Sequence, residues 1–192
     1  MWLTWECLEK MEGEGGRWMA FYNCGENSGA RSRSRHPYFN DWRSQKHKHV
    51  QFIPLPPREE FSPFPDQLVQ RKINNDMSIP FQHYISTLPE NKTSATLFRT
   101  YRRLLFDMKR DNQEEKLSYN FVMTTEWIFI SPRTKDDYTE QDQRIAVNST
   151  GMVGLLLTKS EDQTNFVERV GPLNILAYVG KPWPQNIRAR KE

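Results

Sequence analysis

The sequence predicts an α+β fold, and three observations carry that expectation. Short runs rich in β-branched and aromatic residues, near 17–23, 45–54, 79–85, 116–123 and 126–131, read as strands. The stretch 94–110 has apolar residues at three- and four-residue spacing, which is the period of a helix with one face in a core. Hydrophobic residues make up 36% and aromatic residues 12% of the 192, enough for one sizeable core and too many for a disordered chain.

Taken in order, residues 4–12 read as a helix with Trp5, Leu8 and Met11 towards one side, ended by the glycines at 13, 15 and 16. A strand follows over 17–23 and runs into the Gly- and Asn-rich turn Cys24-Gly-Glu-Asn-Ser-Gly-Ala30. The segment 31–43 is the most basic part of the chain. After the run at 45–54 come five prolines from Pro54 to Pro65, which fix φ and withhold backbone donors, so this segment is expected to be an extended strap. Residues 66–73 read as a short helix, and 79–85 as an edge strand because of Pro80. His83, with aromatic neighbours, is expected to make a structural hydrogen bond. The helix over 94–110 has Thr93 or Ser94 as its N-cap and a basic face formed by Arg99, Arg102, Arg103, Lys109 and Arg110, read as solvated. The strands at 116–123 and 126–131 are joined through Thr124-Thr125 and stopped by Pro132. Residues 136–144 read as a polar loop, 151–158 as a buried apolar run, and 166–179 as helical, with Pro172 just inside a start and Gly180 just past an end. The tail 182–192 is expected to fray.

The stretch with the most chemistry is Gln45-Lys-His-Lys-His-Val-Gln-Phe-Ile-Pro54. In an extended strand its side chains alternate, so His47, His49 and Gln51 share one face while Lys46, Lys48 and Val50 share the other. Two imidazoles at this spacing admit three readings. As zinc ligands they lack company, since glutamine is a poor ligand, Cys7 and Cys24 are far upstream, and no paired cysteine or histidine motif accompanies them. They also fit a solvated polar strand, or a reactive face. The preceding turn supports the last reading, because Gly25 and Gly29 allow close approach to the backbone and successive N–H groups form a concavity suited to phosphate oxygens.

These residues resemble the histidine triad superfamily in its transferase branch, where glutamine stands in place of the third histidine. Asn23, Gly25 and Gly29 fit the first half of that family's pattern, and Ser44, His47, His49 and Gln51 fit the second half. Within the branch the chain is most similar to the eukaryotic diadenosine tetraphosphate phosphorylases, also called ATP adenylyltransferases. The stretches Phe52-Ile-Pro-Leu-Pro56, Ser118-Tyr-Asn-Phe-Val-Met-Thr124, Trp127-Ile-Phe-Ile-Ser-Pro-Arg133, Asn148-Ser-Thr-Gly-Met-Val-Gly154 and Gly171-Pro-Leu-Asn-Ile-Leu176 add to the likeness. Two features depart from it. Residues 31–43 intervene where the family runs on directly to its serine, and family members carry further strands and phosphate-contacting lysines ahead of the point where this chain begins. The resemblance therefore implies a histidine-triad-like antiparallel sheet with packed helices, incomplete on its N-terminal side, as in an incomplete or alternatively spliced product. It divides into a partial catalytic segment over 1–56 and an ATP adenylyltransferase C-terminal region over 57–192.

The activity implied by the resemblance is reversible phosphorolysis of diadenosine tetraphosphate to ATP and ADP. His49 would attack the α-phosphorus, His47 would orient, and Gln51 would donate to a phosphate oxygen, while Asn23, Gly29 and Ser44 would hold phosphate or fix the nucleophile. Asn120 and Arg133 are further candidates for phosphate contact, and structural roles at strand ends suit them equally well. No resident cofactor or metal is implied, magnesium arriving with the nucleotide, and the partners are diadenosine tetraphosphate, ATP, ADP and inorganic phosphate. Two other readings stay open. The insertion could leave a nucleotide-binding but inactive chain, or Arg31-Ser-Arg-Ser-Arg35 could mark an RNA-associated protein.

Bulk properties narrow the class. A net charge of +3 suits an anionic small molecule and falls short of what nucleic acid demands. Two cysteines give no disulfide framework and suit a reducing compartment, cytoplasmic or nuclear. No stretch approaches the roughly 20 apolar residues of a membrane span. The sequons at Asn91 and Asn148 are read as chance matches.

Overall fold

The computed structural model describes residues 1–24, 50–74 and 76–184. In chain order its elements are α1 (Trp2–Gly13), β1 (Arg17–Cys24), β2 (Gln51–Leu55), α2 (Phe64–Gln70), β3 (Tyr84–Thr87), α3 (Ser94–Asn112), β4 (Tyr119–Met123), β5 (Trp127–Pro132), β6 (Asp137–Glu140), β7 (Gln143–Ala146), a 3-10 turn (Gly151–Val153), α4 (Glu161–Val170) and α5 (Pro172–Val179). The architecture is α+β, as expected. Five strands form one sheet in the order β2-β1-β4-β5-β3, with every neighbouring pair antiparallel.

Strand alternation gives this sheet two apolar faces, and helices cover both. On one face Met19, Phe21, Val122, Trp127, Phe129 and Ile85 pack with Leu68 of α2, Phe166 of α4 and Ile175 and Val179 of α5. On the other, Ala20, Phe121, Met123, Ile128 and Ile130 pack with Trp5 and Leu8 of α1 and with Leu97, Leu104 and Met108 of α3. The cap of α3 is Thr93, whose hydroxyl accepts from the Thr96 N–H while Thr96 Oγ1 accepts from the Thr93 N–H.

Asp66, in the first turn of α2, is a buried carboxylate at the end of the sheet where β1 begins. Its Oδ2 accepts from Arg17 (2.6 Å), Arg58 (3.0 Å) and Ser62 (3.0 Å), and its Oδ1 from the indole N–H of Trp127 (2.7 Å). The carboxylate ties the proline strap, α2, β1 and β5 together, which is how a charge is tolerated inside the core.

His83 is fully buried. Its Nε2 accepts from the Asp76 N–H at 2.9 Å and its Nδ1 lies 3.1 Å from the Phe81 carbonyl, which sets the proton on Nδ1. Phe64, Phe129 and Trp183 surround the ring, so its role is structural, as expected.

Several expectations need correction. Residues 136–144 are not a loop throughout: β6 and β7 form a hairpin with Tyr138 opposite Ile145. Each strand carries only one core-facing apolar residue, and Gln141 takes the left-handed conformation at the turn (φ 53°) without the glycine that would signal it. The expected strand over 79–85 begins only at Tyr84. Pro80 has no N–H to give, and the Gln82 N–H donates to Lys181 instead of a strand neighbour (2.8 Å). The helix placed at 166–179 is two helices, broken at Gly171 (φ 88°), and the first starts earlier at Glu161, where the Ser160 hydroxyl caps Gln163. The apolar run after 151 is not buried throughout, since Leu157 is exposed. The tail is anchored at Trp183, which is buried and donates to the Ile79 carbonyl at 3.1 Å.

Candidate functional site

The face of the sheet that carries Phe21 changes chemistry within one row. Phe21, Val122 and Phe129 are register partners across β1, β4 and β5, and all three are apolar. Two residues further along β1 the corresponding row is Asn23, Asn120 and Ser131, all polar. Antiparallel partners share a face, so these three side chains project from the same side as the apolar core but at its margin. Gln51 opens β2 as the partner of Phe21 and is exposed on that same face. The register therefore places Gln51 and Asn23 on neighbouring strands, one pleat apart, at one end of the sheet.

A loop from elsewhere in the chain locks this row. Ser149, between β7 and the 3-10 turn, is fully buried. Its backbone N–H donates to Asn23 Oδ1 at 3.1 Å, and its hydroxyl lies 2.7 Å from Asn23 Oδ1, 2.9 Å from the Tyr22 carbonyl and 3.3 Å from Asn120 Oδ1. The loop is held in turn by Asn148, whose side-chain oxygen accepts from the Thr150 N–H and hydroxyl and from the Gly151 N–H.

The expected site residues fall into two groups. Asn23, Gln51, Asn120 and Arg133 are brought to one end of one face. His47, His49, Ser44 and Gly29, with the insertion at 31–43, lie outside the described residues. Asn120 is fully buried, and its contact with Ser149 joins β4 to the loop. Arg133 is also buried, pairs with Asp136 at 3.1 Å, and takes part in a bridge to Gly180. Burial pulls its guanidinium below the usual arginine value, and Asp136 opposes that shift. These contacts tie Arg133 to the strand end. Ser149 is the residue that the sequence reading did not single out, although Asn148-Ser-Thr-Gly-Met-Val-Gly154 marked its loop as informative.

The opposite face beneath Asn23 is neutral. Tyr22 donates to Tyr101 at 3.1 Å, and the Tyr101 and Tyr119 hydroxyls are 2.6 Å apart. Burial, reinforced by the neighbouring Cys24 and phenols, pushes the Tyr22 and Tyr119 hydroxyls far above the ordinary tyrosine value, so neither ionises near neutral pH. Among the described residues no cluster of His, Cys, Asp and Glu is arranged to hold a metal ion. No described helix is long and apolar enough to cross a membrane. The site is therefore a row of amide and hydroxyl groups at a sheet margin, suited to hydrogen-bonding an anionic oxygen.

Comparison with known proteins identifies the family. Protein APA1 of Saccharomyces cerevisiae is 32% identical over 166 residues, covering 76% of this chain and 46% of that protein. Diadenosine 5',5'''-P1,P4-tetraphosphate phosphorylase 2 of the same yeast is 30% identical over 167 residues, covering 77% and 46% respectively. The chain thus spans about half the length of the curated relatives it matches. A crystal structure of the yeast Ap4A phosphorylase Apa2 superposes with a TM-score of 0.75 at 26% identity, covering 96% of this chain and 62% of that one. Apa2 in complex with AMP superposes with a TM-score of 0.69 at the same identity, covering 95% and 62%. Residues 77–182 match the family model described as the ATP adenylyltransferase C-terminal domain, which is more than half of the chain. On that match, and on a fold shared with Apa2, the chain belongs to the ATP adenylyltransferase family.

Proposed function

We propose that this chain carries out adenylyl transfer in diadenosine tetraphosphate metabolism: phosphorolysis of diadenosine tetraphosphate to ATP and ADP, and the reverse reaction. The observation that carries the reading is the register that sets Gln51 beside β1, one pleat from Asn23, on the face where the sheet turns polar. His49 precedes Gln51 by two residues, so chain length alone keeps the two Cα atoms within about 7 Å. The sequence alternation that groups His47, His49 and Gln51 matches the face on which Asn23 projects.

Transfer then proceeds in two balanced steps. A nitrogen of the His49 imidazole attacks the α-phosphorus, forming a P–N bond as the P–O bond to the leaving ATP breaks. A phosphate oxygen next attacks the same phosphorus, the P–N bond breaks, and ADP leaves with the imidazole restored. Charge on the non-bridging oxygens is met by fixed donors, the Gln51 amide, the Asn23 amide, Ser44 and the turn at Gly29, while His47 orients the face. The design asks for no resident cofactor, since the imidazole is the nucleophile and amide groups bind the phosphate, and magnesium accompanies the nucleotide. The apposition to relatives named as Ap4A phosphorylases, one of them solved with AMP, supports the substrate class. Cys7 and Cys24 form no disulfide, which suits a reducing, cytoplasmic setting.

The test is turnover. Diadenosine tetraphosphate and inorganic phosphate are incubated with the purified chain and with His49→Ala, and the nucleotides are separated. ATP and ADP in equal amounts from the first protein alone would support the reading. Equal turnover by both would refute the role of His49, and none by either would refute the activity.

A further inference from the structure

The packing of α3 is complete without its outer side. Leu97, Leu104 and Met108 are buried against the sheet face opposite the candidate site. Two further aromatic residues point the other way: Phe98 is 51% exposed and Phe106 63%. At four-residue spacing they alternate with Arg102 and Arg110 in one row along the helix. The guanidinium carbon of Arg102 lies 5.9 Å from the Phe98 ring centre, and that of Arg110 lies 6.0 Å from the Phe106 ring centre. Arg99 and Arg103, both exposed, stand beside this row.

The charge on this surface is only partly cancelled. Lys109 pairs with Glu115 at 3.1 Å, and Arg110 pairs with Asp107 and Asp111 at 2.9 Å each, so the C-terminal end of the face is neutralised. Among the described residues Arg99, Arg102 and Arg103 meet no carboxylate. The net charge of the whole chain is only +3, yet three uncompensated guanidinium groups gather within about one helical turn. Charge alone would suit any anion, and the rings narrow the partner. A flat π-face with a guanidinium beside it offers a base a stacking surface and a phosphate a donor at the same point. A lipid-seeking helix would turn its apolar face outwards, whereas that of α3 is committed to the core.

We propose that the outer face of α3 binds single-stranded nucleic acid, with Phe98 and Phe106 stacking on bases and Arg99, Arg102 and Arg103 holding phosphates. The rings are eight residues apart, about 12 Å along the axis, so they take two bases of one strand while the phosphates between them cross the arginines. This surface lies on the far side of the sheet from Asn23 and Gln51, and the proposal does not rest on the adenylyl-transfer reading.

The experiment follows the fluorescence anisotropy of a labelled oligouridylate of about 12 nucleotides titrated with the full chain. Three phosphate contacts predict a slope of about −2 when log affinity is plotted against log salt concentration. Phe98→Ala and Phe106→Ala should each weaken binding about tenfold. Arg99→Gln combined with Arg103→Gln should flatten the slope to about −0.7. All four side chains are exposed, so these variants should keep the wild-type melting temperature. Oligothymidylate should bind equally well, since stacking and phosphate contacts do not read the sugar, and binding of either strand by this face supports the proposal. Saturating AMP should displace neither. Binding of neither strand would overturn the proposal, as would affinity undiminished by both phenylalanine changes. So would binding lost only in Arg31→Gln, Arg33→Gln and Arg35→Gln combined, displacement of the strand by AMP, or its displacement by phosphatidylserine vesicles.

Discussion

Removing the Asp66 carboxylate tests the packing at the end of the sheet furthest from the candidate site. Asp66→Ala leaves the Trp127 indole N–H, on a side chain with no exposed surface, without an acceptor, which costs about 1–3 kcal/mol. It also leaves Arg17, whose side chain is 21% exposed, without its counter-charge. Arg58 is more than a third exposed and also meets Glu126, so its loss adds little. Breaking a buried pair from one side typically costs about 3–5 kcal/mol, and the total expected here is roughly 4 kcal/mol. For a chain of this length that corresponds to a fall in melting temperature on the order of 10 °C. Asp66→Asn keeps an acceptor for Trp127 but loses the charge, and should fall between wild type and alanine. Urea unfolding followed by tryptophan fluorescence measures both. Arg17 and Asn23 are six residues apart on β1, about 20 Å of strand, so AMP affinity of the folded variants should be unchanged. A loss below about 1 kcal/mol for Asp66→Ala would refute the claim that this carboxylate organises four elements.

Two other outcomes follow from particular contacts. A Cβ placed on Gly180 would lie 2.6 Å from Phe81 Cβ and 3.0 Å from the Leu176 carbonyl, so Gly180→Ala should destabilise by about 1–3 kcal/mol in thermal unfolding, through overpacking rather than backbone strain. The Asp76 carboxyl is held below its ordinary value by the hydroxyl and N–H of Ser78. A lowered folded value means that its stabilising contribution is complete above the ordinary carboxylate range and is lost as pH falls through the folded value. Ser78→Ala should therefore shrink the loss of stability on acidification below about pH 4, measured by urea unfolding at several pH values.

The sequence carried the sheet well because its central strands are strongly patterned. β1, β4 and β5 hold Met19, Phe21, Val122 and Phe129 on one face with matching residues on the other, and no glycine interrupts them. α3 was equally plain from Leu97, Leu104 and Met108 and from Thr93 at its cap. The hairpin of β6 and β7 was hidden because Tyr138 and Ile145 are its main anchors and Gln141 makes the turn. Trp183 was read as part of a frayed tail because its burial depends on Ile79 and His83, about a hundred residues earlier. At the candidate site, Gln51 could be grouped with the histidines by strand alternation, and Asn23 was picked by the family resemblance. Ser149 could not be picked, since its contact with Asn23 spans 126 residues and neither partner's local sequence announces the other.

The most direct test of the proposed chemistry is to trap its intermediate. The chain is mixed with diadenosine tetraphosphate in the absence of inorganic phosphate, and its intact mass is measured. An increase by one adenylyl group, absent in His49→Ala and discharged as ADP when phosphate is added, is the predicted result. An unmodified chain, or an adduct that persists in His49→Ala, would contradict transfer through His49.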